Sequence, residues 1–186
     1  MDPKTQATTA VQLLTPLVEG TRADQLAIQT PCSEWKVRDL LNHVIGGGHM
    51  FASGLRGEAF EGGAGPTDVV GDDHVASFRT SMDGFSAALA GTDDLDKPVS
   101  LPFGTLPAVA ALQLAAGDLL VHSWDLAQAT GQPFDPPADF VEASYGFFQT
   151  AVNDDLRAAG LFGPAVEVGS DAAALTKLLA HSGRRA

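Results

Sequence analysis

Residues 117–126 constrain the fold of this chain more than any other stretch. They lie inside a run, residues 107–130, that has no internal proline, so the run is predicted to form one long helix. Within it Asp118, His122 and Asp125 are spaced i, i+4 and i+7, which places the three side chains on one helical face. A carboxylate and an imidazole one turn apart form half of a metal site.

A second histidine supplies the other half of the hypothesis. His43 stands in another strongly helical segment, residues 37–45, and two facing helices of a bundle would bring it against Asp118 and His122. Three glycines follow at residues 46–48, and each costs a helix interior about 1 kcal/mol relative to alanine. Two interpretations stay open: the glycines leave space beside a metal for a ligand, or the helix breaks or packs closely there.

The composition predicts one globular domain spanning residues 1–186. Hydrophobic residues make up 45% of the chain and charged residues 18%, and no apolar run approaches the length of a membrane span. The amino terminus does not resemble a signal peptide, and the single cysteine, Cys32, has no internal partner for a disulfide. We therefore expect a cytoplasmic protein with no membrane association.

The charge balance argues against nucleic acid as a partner. The chain has 11 Lys and Arg against 23 Asp and Glu, a formal net charge of −12. A nucleic-acid binder needs a basic patch that releases counterions from phosphates, and the only basic cluster is Arg184 with Arg185. The acidity is typical of a solvated surface, and it also suits a cation site.

Hydrophobic periodicity predicts an all-α fold. No convincing strand pattern is present, and the connection at residues 91–105 is predicted to be an irregular segment that forms a lid over the pocket. Ser33 is the best candidate by chemistry for the N-cap of the second helix. The predicted helices span residues 5–19, 36–55, 73–90, 107–130, 138–159 and 172–181, and residues 57–71 are predicted to form a loop.

Two segments and the tail resemble a known family. Residues 30–44 (TPCSEWKVRDLLNHV) resemble the opening of the second helix in the DinB/YfiT-like superfamily, and most closely its actinobacterial branch. That branch includes the metal-binding domain of mycothiol-dependent maleylpyruvate isomerase. Residues 118–131 (DLLVHSWDLAQATG) are similar to its second signature, and residues 162–166 and 178–184 to the end of its short members.

The resemblance implies a DinB-like four-helix bundle with short extra helices, long connecting loops and a divalent metal, zinc ahead of nickel. Carried over residue by residue, the metal ligands become His43, Asp118 and His122. The isomerase has a glutamate at the position of Asp118, whose side chain is one methylene shorter. Asp118 would therefore reach the metal directly, through water, or not at all.

The function implied by the resemblance is activation of a low-molecular-weight thiol, mycothiol, by the metal for transfer to a small-molecule electrophile. The isomerase carries an additional C-terminal domain that these 186 residues lack, so isomerisation of maleylpyruvate is not expected to transfer intact. The glycines at 46 and 47 and the turn at 103–104 would border the pocket. The alternatives are a non-catalytic metal-binding bundle, such as a homodimer acting as a sensor, and a purely structural helical protein without metal.

The remaining candidates have simpler interpretations. Asp125 is interpreted as a buried residue that fixes a histidine tautomer, with a surface acid as the alternative. Cys32 has no histidine at a suitable spacing and is expected to be a half-buried residue without a nucleophilic role. The other tryptophans and histidines are expected to be core, structural or exposed residues: Trp35, Trp124, His49, His74 and His181.

Overall fold

The structure, a computed structural model, describes residues 1–32, 34–60, 68–158 and 160–185. Four long helices form a bundle: α1 (Pro3–Glu19), α2 (Val37–Arg56), α3 (His74–Ala90) and α4 (Ala108–Thr130). Helix α1 packs along α4, α2 packs along α3, and α2 also contacts α4. Three shorter helices follow: α5 (Ala138–Ala151), α6 (Asp154–Ala158) and α7 (Ala174–His181). The predicted all-α four-helix bundle is confirmed.

Helix α4 is the central element of the bundle. It contacts α1, α2 and α5, and every residue from position 119 to 127 is buried. Gly117 allows this close packing, because a Cβ at that position would lie 2.2 Å from Cε1 of Phe148 on α5. Any polar side chain in this part of α4 is therefore removed from water and needs a partner within the protein.

Helix α2 runs without a break through its three glycines. A Cβ on Gly48 would lie 2.3 Å from Oγ of Ser81 on α3, whereas one on Gly46 or Gly47 would meet no atom within 4 Å. Of the interpretations left open, a break in the helix is therefore wrong. Close packing explains Gly48, and the other two glycines border open space. The helix begins after Lys36, whose N–H donates to Oδ2 of Asp39 at 2.9 Å. Ser33, the predicted N-cap, lies outside the described residues.

The prediction of no strands is wrong for the connection before α4. Strands β1 (Pro98–Leu101) and β2 (Gly104–Pro107) form an antiparallel hairpin, in which Val99 pairs with Leu106. Each strand is only four residues long, too short for periodicity to reveal. The hairpin packs on α2 at Gly54, where a Cβ would lie 2.9 Å from the Val99 side chain. Gly54 is about three turns along α2 from His43, so the hairpin does not cover that residue.

The predicted fifth helix is divided in two. Helix α5 ends at Ala151 because Val152 adopts an extended conformation, and the Asn153 side chain then accepts the N–H of Leu156 at 3.0 Å to begin α6. The predicted loop at 57–71 lies partly outside the described residues. Within the part of the chain that the structure describes, no helix is long and apolar enough to cross a membrane.

Candidate metal centre

The fold brings the three predicted ligands together between α2 and α4. Nε2 of His43 lies 3.1 Å from Oδ2 of Asp118, and Nε2 of His122 lies 3.4 Å from Oδ1 of the same carboxylate. The side chain of His43 is 39% exposed, that of Asp118 29% and that of His122 only 6%. We call His43, Asp118, His122 and the neighbouring Asp125 the α2–α4 cluster. It is buried at His122 and Asp125 and partly open to solvent at His43 and Asp118.

Asp125 holds the far side of the His122 ring. Its Oδ2 lies 3.1 Å from Nδ1 of His122, and its side chain is fully buried. Oδ2 also accepts a hydrogen bond at 2.8 Å from Nη2 of Arg184, a residue beyond α7. A carboxylate accepts hydrogen bonds only, so the Nδ1 of His122 carries the hydrogen and its Nε2 faces Asp118. Asp125 thus occupies the position expected of a residue that fixes the histidine tautomer.

The charges of the cluster stabilise one another. Burial alone would raise the pKa of Asp118, but the imidazoles of His43 and His122 outweigh it and hold that pKa well below its ordinary value. Burial would likewise lower the pKa of His122, yet the carboxylates of Asp118 and Asp125 raise it to about 9. Burial also opposes ionisation of Asp125, but His122 and Arg184 keep its pKa below the ordinary value. An ionised carboxylate therefore faces each of the two nitrogens of the His122 ring.

The donor set fits a divalent metal ion. Single atoms of His43, Asp118 and His122 all lie within 4.8 Å of one another. Two ligand atoms each about 2.1 Å from a zinc ion, at a tetrahedral angle, lie roughly 3.4 Å apart. The nitrogen-to-oxygen distances of 3.1 and 3.4 Å are close to that separation. Two imidazoles and a carboxylate are also ligands that zinc and nickel accept, and three protein ligands leave a position for a small molecule.

Two residues that precede α2 form a wall of the site, which sequence reasoning did not foresee. The Trp35 ring stacks on that of His122, with centroids 5.5 Å apart, and lies 4.9 Å from the ring of His43. Cys32 places its sulfur within 4.8 Å of ligand atoms of His122 and Asp125. Burial raises the pKa of the Cys32 thiol, which favours its protonated form.

The loop that carries these two residues is held by backbone hydrogen bonds. The N–H of Thr30 donates to the carbonyl of Trp35 at 2.9 Å, and the N–H of Val37 donates to that of Ile28 at 2.9 Å. These bonds accompany the placement of Trp35 against the rings of His43 and His122. No periodic signal encodes such a turn. The signal that the sequence did contain is that Trp35 directly precedes the helix that carries His43.

A small cavity adjoins the cluster on the side of α3. It has a volume of about 10 Å³, room for about one water molecule. Its lining is apolar except for Asp118 and includes Gly47 of α2, as predicted. Among the described residues that line it, neither Phe103 nor Gly104 occurs, so the hairpin turn does not border this cavity. The predicted lid is therefore not supported at this site.

The other histidines lie away from the cluster. Nε2 of His74 is 3.0 Å from the carbonyl oxygen of Thr21, and Nε2 of His181 is 3.1 Å from that of Phe148. His49 is half-buried on α2. Their expected structural roles agree with these contacts, as does the burial of Trp124 in the core.

Known proteins resemble this chain in sequence and in fold. Two uncharacterized proteins, from two strains of Mycobacterium tuberculosis, are each 35% identical over 135 residues, which cover 73% of this chain and 71% of the relative. Two crystal structures of mycothiol-dependent maleylpyruvate isomerase, one of a histidine-to-alanine mutant, share the fold. The TM-score is 0.67 for the mutant, at 14% identity, and 0.63 for the other structure, at 13% identity. Each match covers 85% of this chain and 71% of the isomerase chain.

The family assignment follows from the sequence profile. The profile described as the mycothiol maleylpyruvate isomerase N-terminal domain matches residues 7–127, which include all four residues of the α2–α4 cluster. The predicted resemblance to the actinobacterial, DinB-like branch is thus confirmed. This chain belongs to the family of the mycothiol maleylpyruvate isomerase N-terminal domain.

Proposed function

We propose that this protein binds a divalent metal ion, zinc or nickel, and catalyses mycothiol-dependent transfer of a thiol to a small electrophile. The observation that carries the proposal is the convergence of His43, Asp118 and His122 within 4.8 Å at a partly exposed site. Membership of a family named for a mycothiol-dependent isomerase supports mycothiol as the cosubstrate.

The residues of the chain would divide the work as follows. His43 and His122 present nitrogen lone pairs and Asp118 a carboxylate to the metal, while Asp125 orients the His122 ring. A bound divalent ion supplies positive charge that lowers the pKa of a thiol beside it. The thiol would lose its proton to solvent, and its sulfur would form a bond to the electrophilic carbon. In a substitution a leaving group departs with the electron pair; in an addition the electron pair of the double bond moves to the neighbouring carbon, which takes up a proton.

Substrates would reach the metal site from the open side of the α2–α4 cluster. His43 is the most exposed member, and a Cβ on Gly46 or Gly47, within the following turn of α2, would meet no atom within 4 Å. The Trp35 ring stacks on that of His122 and is tilted against that of His43, so it occupies space beside both imidazoles. A thiol and an electrophile would therefore approach along the surface of α2.

The alternative is a metal-binding bundle without thiol-transfer activity, such as a homodimeric sensor. The small cavity favours this alternative, because 10 Å³ beside Asp118 leaves no enclosed room for a substrate. A protein of this kind would bind metal with the same residues. It would show no turnover with any electrophile.

The two proposals are separated by a loaded-protein assay. Protein incubated with zinc or nickel is mixed with mycothiol and either chlorodinitrobenzene or maleylpyruvate, and loss of the electrophile is followed by absorbance. Thiol-dependent consumption that disappears in a His43→Ala/His122→Ala double variant but persists in His181→Ala supports the transferase. Stoichiometric metal without turnover across a wider panel of electrophiles supports the binder.

A further inference from the structure

The segment after α7 returns to the α2–α4 cluster and inserts a cation. The Arg184 side chain is only 10% exposed, its Nη2 lies 2.8 Å from Oδ2 of Asp125, and its Nε lies 3.4 Å from Oδ1. Asp125 is fully buried. A residue 59 positions away in sequence thus forms a buried ion pair one turn beyond His122.

The approach of Arg184 is fixed by the turn that precedes it. Gly183 adopts a φ of +90°, and a Cβ there would lie 3.0 Å from Cα of Gly163. The Arg184 N–H donates to the carbonyl of Leu179 at 2.8 Å, and its Nη1 donates to that of Ser182 at 2.9 Å. With a residue larger than glycine at position 183, the backbone could not follow this path without strain. The backbone therefore aims the guanidinium at α4.

The pair carries a physical consequence for His122. A buried carboxylate without a cation is costly, and the planar guanidinium fits two carboxylate oxygens at once. The oxygen that Arg184 holds at 2.8 Å, Oδ2 of Asp125, is the same oxygen that lies 3.1 Å from Nδ1 of His122. Fixing the carboxylate therefore fixes the acceptor that sets the orientation of the imidazole.

We infer that Arg184 is a positioning residue: it holds Asp125 so that the His122 ring keeps its Nδ1–H toward Asp125 and presents Nε2 toward Asp118. The inference rests on the proposed metal site. It also goes beyond the family profile, which matches residues 7–127 and does not reach Arg184. The C-terminal segment thus completes a site whose direct members all lie on α2 and α4.

The test compares zinc affinity, measured by competition with a chromophoric chelator, in Arg184→Gln, Arg184→Lys and Arg185→Gln. Loss of a partner that orients a ligand typically weakens metal binding about 10–100-fold, and this is expected for Arg184→Gln. Arg184→Lys keeps the charge and should recover part of that loss. Arg185 is exposed, so Arg185→Gln should bind as the wild type does. Equal affinity in Arg184→Gln and wild type would overturn the inference.

A second variant separates positioning from loosening of the tail. Arg157 on α6 anchors the same segment, because its Nη2 donates to the carbonyl of His181 at 2.8 Å. Arg157→Gln should therefore weaken the attachment of the C-terminal segment to α6 and leave the guanidinium of Arg184 at Asp125. A loss of zinc affinity in Arg157→Gln as large as that in Arg184→Gln would contradict a specific role for Arg184.

A readout without metal keeps the inference distinct from the proposed function. In ¹⁵N-labelled protein, the His122 Nδ1–H should give a downfield proton protected from exchange, because it is buried against Asp125. Arg184→Gln should shift this proton or remove its protection, and Arg184→Lys should restore it. If the wild type binds no metal, the proposed function fails while this measurement still decides the inference. An unchanged proton in Arg184→Gln would overturn the inference.

Discussion

The α2–α4 cluster and the contact between α5 and α7 each hold a histidine against a neighbouring helix, but with different partners. His122 lies between two carboxylates, Asp118 and Asp125. Nε2 of His181 lies 3.1 Å from the carbonyl oxygen of Phe148, and its ring meets Tyr145 edge to face. A carbonyl only accepts, so that nitrogen of His181 must carry a hydrogen. The partner atoms, not the helical position, make one histidine a candidate ligand and the other a structural residue.

The largest expected effect separates these two histidines directly. His122→Ala should weaken zinc binding by well over the roughly 10–100-fold that loss of an orienting partner costs, because it removes a ligand. His181→Ala should leave zinc binding unchanged and lower only thermal stability. Isothermal titration of both variants with zinc measures the difference. A comparable loss of zinc affinity in both variants would contradict the distinction between His122 as a ligand and His181 as a structural residue.

The carboxylate that distinguishes the cluster is tested next. Asp118→Asn preserves shape but removes the charge and one ligand oxygen, and zinc affinity should fall by about 100-fold. Asp118→Glu retains the charge and should bind within about 10-fold of the wild type. Chelator competition provides the measurement, with the exposed Asp83→Asn as the matched control. Tight binding by Asp118→Asn would show that this carboxylate is not a ligand.

Proton competition at His122 predicts a pH dependence. In the metal-free protein its pKa is raised to about 9, and a metal requires the neutral ring. Below that pH, binding must release the proton, so zinc affinity should rise with pH by up to about tenfold per unit and level off near 9. Titration calorimetry in buffers of different ionisation enthalpy measures the released proton. Affinity that does not change between neutral pH and 9 would contradict this assignment.

The smallest effects concern the packing of the two regions. Gly46, beside the cluster, borders open space, so Gly46→Ala should stabilise the protein by up to about 1 kcal/mol through helix propensity. In the other region, Gly117 lies against the ring of Phe148, the residue whose carbonyl oxygen is 3.1 Å from Nε2 of His181. Gly117→Ala should destabilise the protein by about 1–3 kcal/mol through overpacking. Urea unfolding of both variants gives these free energies. Equal effects would show that the cluster is not open at Gly46.

The sequence predicted the parts of the site that depend on helical periodicity. The spacing of Asp118, His122 and Asp125 placed them on one face of α4, and the run around His43 predicted the helix that faces them. The structure brings all four into one cluster. Helix repeats are local and regular, which is why this part could be read from the chain.

The missed parts depend on tertiary paths. Cys32 and Trp35 reach the site through an irregular turn, and Arg184 reaches it from 59 residues away, so neither contact has a local signal. The hairpin was missed for another reason, since each of its strands has only four residues. The hairpin also packs closely on Gly54 of α2, a tertiary contact that periodicity does not contain.

The most direct test of the central claim is elemental analysis of the purified protein after incubation with zinc or nickel and removal of free metal. A His43→Ala/His122→Ala double variant is measured beside it, with circular dichroism to confirm that both are folded. We predict about one metal ion per chain in the wild type and background levels in the variant. Background levels in both proteins, or equal metal in both, would contradict the three-ligand site.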